Sequence, residues 1–589
     1  MTAVDIVEML ALLCGGLAFF LFGMNVMSSG LEKMAGGKLE STLKKVTSSY
    51  WLSLFLGAGI TIAIQSSSAM TVMLVGLVNS GIMEFGGTFG LIMGSNVGTT
   101  LTSWLLSLAG VGDGGNVWLM LLKPVIFAPF LAIIGTALRM FSKKEKHHDI
   151  GAILIGFTIL IIGMDLMSSG VGVIEEKAGL EVFLTMFSNP IITLLISTLF
   201  TGIIQSSAAT VGIVQALALS GAITYEAAIP LVLGANIGTC VTALISTIGT
   251  EKNAKRVAAI HMSVNIIGTI LFMIGLGVVN VFVPDLPGRN CSMFGVALIH
   301  TIFNVSISIV LSPFKKWIVK IATIVVPDKA TDSDKRTVLL DERLIATPSV
   351  AVGECKRLVA EMGEMTKTSI IEAIELISEY EDEKALKVRD AEEIVDRYED
   401  KLGTYLVKLS GVDLTENDSH EVGRLLHTIG DFERISDHAL NIVIAAQEIK
   451  EKNIIFSPEA KNELNRVTSA VNEIMDITVG AFKDDNFDKA SMVEPLEQVI
   501  DALKDTFKQR HIKRVQDGKC TIELGFVFSD LLSNCERVSD HCSNIAVSTI
   551  QRNAPKQDAH KYLRNVKNDE NGIFATLYKE YEKKYLENI

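Results

Sequence analysis

The sequence predicts an all-α, polytopic membrane protein of two inverted-topology repeats, followed by a soluble α-helical domain. Three observations support this fold class. The 589-residue chain is apolar and sparsely charged up to about residue 311, and it is rich in charged residues beyond about residue 328. Within the apolar part, polar motifs recur at a constant offset of 140 residues. Equivalent connectors in the two copies carry charges of opposite sign, which predicts that the duplicated unit is also inverted.

These observations divide the chain into four parts. We expect a membrane domain over residues 1–320, a polar linker over 321–349, a helical domain over 350–551 and a tail with a short helix over 552–589. The membrane domain contains repeat one at about 7–140, repeat two at about 150–282 and a final span at 293–314.

The duplication is visible in three blocks of sequence. The motif QSSS at 65–68 returns as QSSA at 205–208, and GSNVGT at 94–99 returns as GANIGT at 234–239. A third block, GMNVMSSG at 23–30, returns as GMDLMSSG at 163–170. Polar interruptions at matching positions of two membrane repeats are typical of the binding site of a transporter.

The apolar stretches fall into two classes. A spanning helix needs about 20 mostly apolar residues, and seven stretches qualify: 7–29, 86–110, 116–140, 150–170, 226–248, 257–282 and 293–314. Two further stretches, 51–80 and 190–220, carry the QSS motifs at their middles. Irregular backbone survives at membrane depth only where protein or a water-filled cavity satisfies it. We therefore expect re-entrant hairpins or broken helices, with breaks after Ile64 and Ile204.

Charge predicts the orientation of the repeats. The connector after the first helix of repeat one is basic, whereas its counterpart in repeat two is acidic: Lys33, Lys38, Lys44 and Lys45 against Glu175, Glu176 and Glu181. By the positive-inside rule the repeats lie in opposite orientations. Seven crossings then place the N-terminus outside and the C-terminal domain in the cytoplasm. The net charge of −13 argues against a nucleic-acid partner.

The residue types in the repeated motifs suit a hard cation and an anion. Glutamine, serine, asparagine and threonine offer neutral oxygen ligands of the kind that sodium prefers. An anion would find donors at the N-termini of the broken helices. The motifs contain no Arg or Lys, so co-bound cations would have to offset the anion's charge. The alternative is plain helix packing through Gly-x-x-x-Gly and Ser/Thr contacts, and the duplication with inverted charge favours binding.

Two H-x-x-x-N pairs lie in the apolar part, His261 with Asn265 and His300 with Asn304. This spacing puts both side chains of a pair on one helix face. We expect buried, hydrogen-bonded pairs that support the hairpins rather than direct ligands.

The charged part of the chain contains a second duplication. ERISDH at 433–438 recurs as ERVSDH at 536–541, among six helical segments that predict two three-helix bundles. Each motif and each preceding helix carries an i,i+4 carboxylate pair: Glu392 with Asp396, Glu433 with Asp437, Glu497 with Asp501, and Glu536 with Asp540. These pairs could hold metal ions or form an acidic surface ridge, and the spacing leaves both readings open. The chain has no G-x-x-x-x-G-K-[ST] motif and no triad spacing, so we expect neither an ATP-driven pump nor an enzyme.

The QSS motifs, the G-x-N-x-G-T blocks and the H-x-x-F-N element ending at Asn304 resemble the type II sodium-phosphate cotransporter family over about residues 5–315. The resemblance implies phosphate as substrate, sodium as coupling ion and alternating access. Carried over by motif, the resemblance assigns phosphate binding to Gln65, Ser66, Ser67, Gln205, Ser206 and Ser207. It assigns sodium binding to Ser68, Asn96, Thr99, Asn236 and Thr239. Ala208 in place of a serine leaves the number of sodium sites open.

The duplicated ERxSDH elements resemble PhoU domains over about residues 350–551. That resemblance implies phosphate-dependent regulation and a divalent or iron-type metal on the carboxylate pairs. Together the two resemblances imply a sodium–phosphate symporter of a bacterial cytoplasmic (inner) membrane, with a regulatory PhoU-like domain. A phosphate exporter of the same fold and a membrane phosphate sensor are the alternatives. Whether the chain forms a homodimer, and whether the PhoU-like domain binds a phosphate-signalling partner, stays open.

Overall fold

The computed structural model describes residues 2–35, 49–81, 83–108, 124–178, 189–327, 340–553 and 572–587. All regular elements in these ranges are helices, which confirms the all-α class. The chain separates into two compact units, Met1–Val350 and Ala351–Ile589. Of the residues on which the charge argument rests, Lys38, Lys44, Lys45 and Glu181 lie outside the described residues, as does the first part of the expected span 116–140.

Within the described residues, repeat one contains five helices and repeat two contains their five counterparts. The first set is α1 (Ala3–Ala35), α2 (Tyr50–Ile64), α3 (Ser67–Asn79), α4 (Thr88–Ser107) and α5 (Pro124–Phe141). The second set is α6 (Glu145–Ala178), α7 (Pro190–Ile204), α8 (Ser207–Leu219), α9 (Tyr225–Ser246) and α10 (Lys252–Phe282). The last span is α11 (Met293–Leu311), and a turn at Ser312–Phe314 leads into α12 (Lys315–Val325).

Several of these helices are long and apolar enough to cross a membrane. The segments Val4–Met34, Glu145–Val173, Tyr225–Ser246, Lys252–Phe282 and Met293–Val325 meet that description by length and composition. The helices α2, α3, α7 and α8 are apolar but have only 13 to 15 residues each. At 1.5 Å per residue, each covers less than the roughly 30 Å of hydrocarbon. They are therefore the halves of the two broken helices.

The inversion of the repeats is visible in the packing of α1 against α6. A Cβ on Gly16 would lie 2.7 Å from the carbonyl oxygen of Gly163, and a Cβ on Gly23 would lie 2.6 Å from that of Gly156. Gly16 corresponds to Gly156 and Gly23 to Gly163 by the same offset of 140 residues. The two contacts are thus exchanged by a twofold axis, and the equivalent helices run antiparallel with their backbones touching.

The halves of the broken helices pack across the repeats. Helix α3 of repeat one contacts α9 of repeat two, and α8 of repeat two contacts α4 of repeat one. Helix α11 packs against α4, and α12 packs against α10. The two breaks are therefore held in one helical assembly rather than in two separate halves.

The C-terminal unit forms the two predicted three-helix bundles. Bundle one consists of α13 (Pro348–Ser378), α14 (Asp382–Ser410) and α15 (Glu416–Glu451). Bundle two consists of α16 (Pro458–Asp484), the short α17 (Phe487–Ala490), α18 (Val493–Gln516) and α19 (Ile522–Asn553). Helices α15 and α19, which carry the ERxSDH motifs, pack against each other and join the bundles.

One expected boundary differs from the structure. The polar linker expected over 321–349 is shorter, because α12 continues to Val325 and a 3₁₀ turn at Glu342–Ala346 packs on α3. The tail contains a short helix, as expected: α20 (Ile573–Tyr585), whose Tyr585 hydroxyl donates to Glu473 on α16. Apolar burial holds both segments, since Leu344, Tyr581 and Tyr585 are buried.

Candidate functional site

The two QSS motifs adopt the same backbone conformation at the two helix breaks. Gln65 ends α2 with φ 56° and ψ 23°, and Gln205 ends α7 with φ 59° and ψ 24°. The N–H group of each glutamine donates to the carbonyl of a threonine, Thr61 or Thr201, at 2.7 Å. A left-handed conformation is uncommon for a residue with a side chain and tends to be found at functional sites. The breaks thus lie where the sequence predicts them.

A serine begins the second half of each broken helix. Ser66 Oγ accepts a hydrogen bond from the N–H of Ala69 at 3.1 Å, and Ser206 Oγ accepts one from Ala209 at 3.2 Å. Serine is a favoured N-cap because it satisfies an N–H group that the helix cannot. The N–H groups of the first helical residues have no intrahelical acceptor, and with the partial positive charge of the helix end they favour an anion.

The two motifs meet directly. Ser68 Oγ of repeat one donates to the backbone carbonyl of Gln205 in repeat two at 3.4 Å. The reverse contact lacks a donor, because Ala208 stands where repeat one has Ser68. The structure therefore brings the two QSS motifs together and makes their junction asymmetric.

The glutamine side chains are placed differently. Gln65 is buried, its Nε2 donates to the carbonyl of Ile62 at 2.7 Å, and its Oε1 accepts from Thr102 Oγ1 at 2.9 Å. Gln205 is exposed. Two residues with the same backbone conformation thus have side chains in two environments.

The glycines of the G-x-N-x-G-T blocks permit backbone contact between helices. A Cβ on Gly94 would overlap the carbonyl oxygen of Leu54 on α2, and a Cβ on Gly234 would overlap that of Leu194 on α7. Leu54 and Leu194 are equivalent residues. Helices α4 and α9 therefore hold their broken helices in the same register in both repeats.

The asparagines of these blocks make different contacts. Asn96 Nδ2 donates to Asn265 Oδ1 at 3.2 Å, and Asn265 Nδ2 donates to Cys240 Sγ at 3.3 Å. Asn265 on α10 thus links α4 of repeat one to α9 of repeat two. Asn236 Nδ2 instead donates to the carbonyl of Val232 in its own helix at 3.0 Å.

The two threonines assigned to sodium are buried in their helices. Thr99 Oγ1 donates to the carbonyl of Ser95 at 3.0 Å, and Thr239 Oγ1 donates to that of Ala235 at 2.9 Å. A hydroxyl that donates its proton in this way keeps its oxygen lone pairs, so it can still act as an acceptor or a cation ligand.

The H-x-x-x-N pairs occupy the interior of the membrane unit. Asn265 Nδ2 donates to the carbonyl of His261 at 3.0 Å, and Asn304 Nδ2 donates to that of His300 at 2.9 Å. His300 Nδ1 also pairs with Ser103 Oγ at 2.8 Å, which joins α11 to α4. These contacts hold helices together, and the supporting role of the four residues stays a prediction.

Sequence reasoning missed two residues next to the site. Thr102 bonds the side chain of Gln65, and Gln215 Nε2 donates to the carbonyls of Ser103 at 2.8 Å and Met293 at 3.1 Å. Gln215 could have been found, because a glutamine in an otherwise apolar helix needs buried partners. Thr102 could not, since it resembles any threonine of a membrane helix.

The carboxylate pairs of bundle one face each other across α14 and α15. Burial, then Asp437 and Asp396, raise the pKa of Glu392 above its ordinary value. Burial and Asp437 likewise raise the pKa of Glu433. The structure thus brings the pairs of the two helices near enough to repel one another.

Bundle two resembles bundle one but has an internal cation. Burial, Glu536 and Asp501 raise the pKa of Asp540. Lys504 forms a 2.9 Å ion pair with Glu536, at a position that in bundle one is Glu399. Carboxylate oxygens suit hard cations. In the part of the chain that the structure describes, however, no three His, Cys, Asp or Glu side chains are grouped as a metal site. The metal ligands stay a prediction.

Comparison with known proteins decides the family. A model of the Na+/Pi-cotransporter family matches residues 19–169 and 159–305. The chain belongs to the Na+/Pi-cotransporter family. A PhoU-domain model matches residues 359–446 and 464–549, so this family member carries two PhoU domains, one in each bundle.

Relatives of this Na+/Pi-cotransporter family member include proteins named for phosphate export and for sodium-dependent phosphate transport. A putative inorganic phosphate export protein, YjbB of Salmonella typhimurium, is 22% identical over 558 residues, which cover 93% of this chain and 98% of that protein. Human sodium-dependent phosphate transport protein 2B is 30% identical over 194 residues, which cover 29% of this chain and 28% of that protein. The crystal structure of PhoU from Pseudomonas aeruginosa covers 35% of this chain and 97% of its own, with 19% identity and a TM-score of 0.33.

Proposed function

We propose that the chain is a secondary transporter that couples the movement of inorganic phosphate to sodium at the junction of the two QSS motifs. The observation that carries the proposal is the contact between Ser68 Oγ and the carbonyl of Gln205. Through this contact, the N-termini of the two helices that begin at Ser67 and Ser207 lie next to each other in the membrane unit. Family membership and the names of the relatives support phosphate as the cargo.

The chemistry of the junction explains why a cation would accompany the anion. The helix N-termini and the hydroxyls of Ser66, Ser67, Ser206 and Ser207 provide donors for phosphate oxygens. The two motifs contain no Lys or Arg, so the anion's charge would be only partly offset by helix dipoles. Sodium bound through Ser68, Asn96, Thr99, Asn236 and Thr239 would supply the missing positive charge. Phosphate should therefore bind weakly without sodium.

We also infer that the PhoU domains adjust transport through the segment 340–347. Asn79, at the end of α3, donates to Asp341 Oδ2 at 2.8 Å and accepts from the N–H of Glu251 at 2.8 Å. Arg343 Nη2 donates to the carbonyl of Ile248 at 2.7 Å. The segment thus ties a broken helix of repeat one to the α9–α10 connector of repeat two. It continues directly into α13, which opens bundle one.

Transport is tested with the purified chain in proteoliposomes. Labelled phosphate should accumulate when an inward sodium gradient is imposed, and much less when potassium replaces sodium. Gln65→Ala and Gln205→Ala should each lower the flux strongly, whereas Gln447→Ala, in the C-terminal unit, should not. Flux that is independent of sodium would refute the coupling. Phosphate binding without any flux would instead favour the sensor.

Export is the second candidate, and a specific observation favours it. The relatives that match nearly the whole chain, PhoU region included, are named for phosphate export. A secondary carrier runs down whichever combined gradient prevails, so the site itself is compatible with both directions. The phosphate content of cells that lack the protein distinguishes them. A rise in cellular phosphate indicates export, and a fall indicates uptake.

A further inference from the structure

We propose that Gln65 and Gln205 alternate between a docked and a released position during transport, and that Thr102 and Thr242 are their docking partners. The inference rests on the proposed transport function, because it concerns how the site changes between its two access states. It assigns a positioning role to two threonines outside the QSS motifs.

The docked member of the pair is in repeat one. Gln65 is buried, and both ends of its amide are bonded, Oε1 to Thr102 Oγ1 and Nε2 to the carbonyl of Ile62. A buried amide needs such partners, because leaving one end unpaired costs about 1–3 kcal/mol. Thr102 therefore keeps Gln65 in the interior.

The released member is in repeat two. Thr242 is the equivalent of Thr102 by the offset of 140 residues. Its Oγ1 is buried and has no hydrogen-bond partner among the described residues, while Gln205 is exposed. A buried hydroxyl without a partner is unusual in a native structure and calls for an explanation. The explanation is that the Gln205 side chain docks on Thr242 Oγ1 in another state of the transporter.

The backbone already permits this docking. Gln65 and Gln205 have φ and ψ angles within a few degrees of each other, and their N–H groups make equivalent bonds. The glycine contacts of α4 on α2 and of α9 on α7 are also equivalent. Gln205 can therefore reach Thr242 through side-chain rotation, with the same geometry by which Gln65 reaches Thr102.

The contact between the motifs couples the two positions, because a change at one break is felt at the other. Ser68 Oγ bonds the carbonyl of Gln205, and Ala208 provides no reciprocal bond to Gln65. The two breaks thus meet in an asymmetric arrangement in which one glutamine is docked and the other released. In a transporter of inverted repeats, exchanging the conformations of the repeats produces the opposite access state.

The test uses isosteric variants of the full chain reconstituted in lipid. Thr102→Val should destabilise the present state, and Thr242→Val should destabilise the opposite one. Each loses one neutral hydrogen bond, which shifts a two-state equilibrium by about fivefold. We would measure hydrogen exchange in peptides covering 61–70 and 201–210. Thr102→Val should speed exchange in 61–70 and slow it in 201–210, and Thr242→Val should slow exchange in 61–70.

Matched variants distinguish a coupled change in both repeats from local damage at the substituted residue. Thr100 Oγ1 donates within its own helix, to the carbonyl of Val97 at 2.7 Å, so Thr100→Val should leave exchange in 201–210 unchanged. Thr102→Ser and Thr242→Ser keep the hydroxyl and should restore the wild-type pattern. If Thr242 were merely structural, Thr242→Val would remove an unsatisfied group and would be neutral or stabilising.

Transport provides the second measurement. Thr242→Val should lower phosphate flux about fivefold, the loss expected for one hydrogen bond in a state needed for turnover. The proposal is overturned if each substitution changes exchange only in its own repeat, or if Thr242→Val transports like wild type. A wild-type chain that carries no phosphate would refute the proposed function, and the reciprocal exchange between repeats could still be measured in it.

Discussion

Ser68 of repeat one donates its hydroxyl proton to the backbone carbonyl of Gln205 in repeat two, 137 residues away in sequence, at 3.4 Å. The contact joins two helix breaks that have the same backbone geometry. Because residue 208 is alanine, the opposite contact to Gln65 is absent, and the two halves of the junction differ by one oxygen. This single difference leads to the first prediction.

Ser68→Ala should lower the apparent affinity of transport for sodium. The substitution removes one hydroxyl oxygen from the junction, at a cost of about 1 kcal/mol. We expect the half-saturating sodium concentration to rise about fivefold, with a smaller change for phosphate. Ala208→Ser is the matched variant, because it adds the oxygen at the equivalent position. Equal sodium curves for Ser68→Ala and wild type would remove Ser68 from the sodium site.

Gly94→Ala and Gly234→Ala should destabilise the membrane unit. The added methyl groups would overlap the carbonyl oxygens of Leu54 and Leu194, so α4 and α9 would have to move away from the broken helices. Overpacking of this kind costs about 1–3 kcal/mol. Gly59→Ala is the control, since a Cβ there meets nothing within 4 Å. Thermal unfolding in detergent should separate the two classes, and equal midpoints would contradict the packing argument.

Asp341→Ala should raise the transport rate. Asp341 accepts from Asn79 Nδ2 and pairs with Arg343, so its removal breaks the tie that runs through the segment 340–347, while Asn79 still bonds Glu251 directly. If the two repeats must move against each other, a weaker tie lowers the barrier to that motion. Initial rates of labelled phosphate flux measure the effect. Asp382→Ala, at an exposed ion pair of the C-terminal unit, serves as the control. An unchanged rate in Asp341→Ala would show that the segment does not restrain transport.

His511 should make the stability of bundle two dependent on pH. Burial, then Arg514, lower the pKa of His511 below its ordinary value of 6.5, because both disfavour the charged ring. A group with a lowered folded-state pKa stabilises the fold above its unfolded value, and that stability is lost as pH falls through the folded value. The protection factors of α18 and α19, which correct exchange rates for the slower intrinsic exchange at low pH, should therefore fall below about pH 6.5.

The matched variants for this prediction are His511→Gln and His427→Gln. His511→Gln removes the titrating ring, so the acid-induced loss of protection should shrink. His427 is exposed, and its substitution should leave the pH profile as it is. An identical profile in wild type and His511→Gln would mean that another group titrates.

The break positions and the bundle helices could be read from particular residues. Gln65 and Gln205 interrupt apolar stretches at equivalent places, and the breaks occur there because a serine that can cap a new helix follows each glutamine. The C-terminal helices form the two predicted bundles, since their apolar periodicity is strong. The 3₁₀ turn at Glu342–Ala346 was not predicted. It is held by Leu344 packed on α3 and by the contacts of Asp341 and Arg343, none of which periodicity can report.

The sequence by itself determined that the unit is duplicated, that its polar breaks recur and that a helical domain of two bundles follows. These properties depend on residue type and spacing, which are local. Only the tertiary structure decided that Ser68 touches Gln205, that Thr102 holds Gln65 and that the buried Oγ1 of Thr242 has no hydrogen-bond partner among the described residues. Those relations join residues 37 to 137 positions apart or depend on which way one side chain rotates. Packing between helices settles such relations, and no periodicity within a helix reports them.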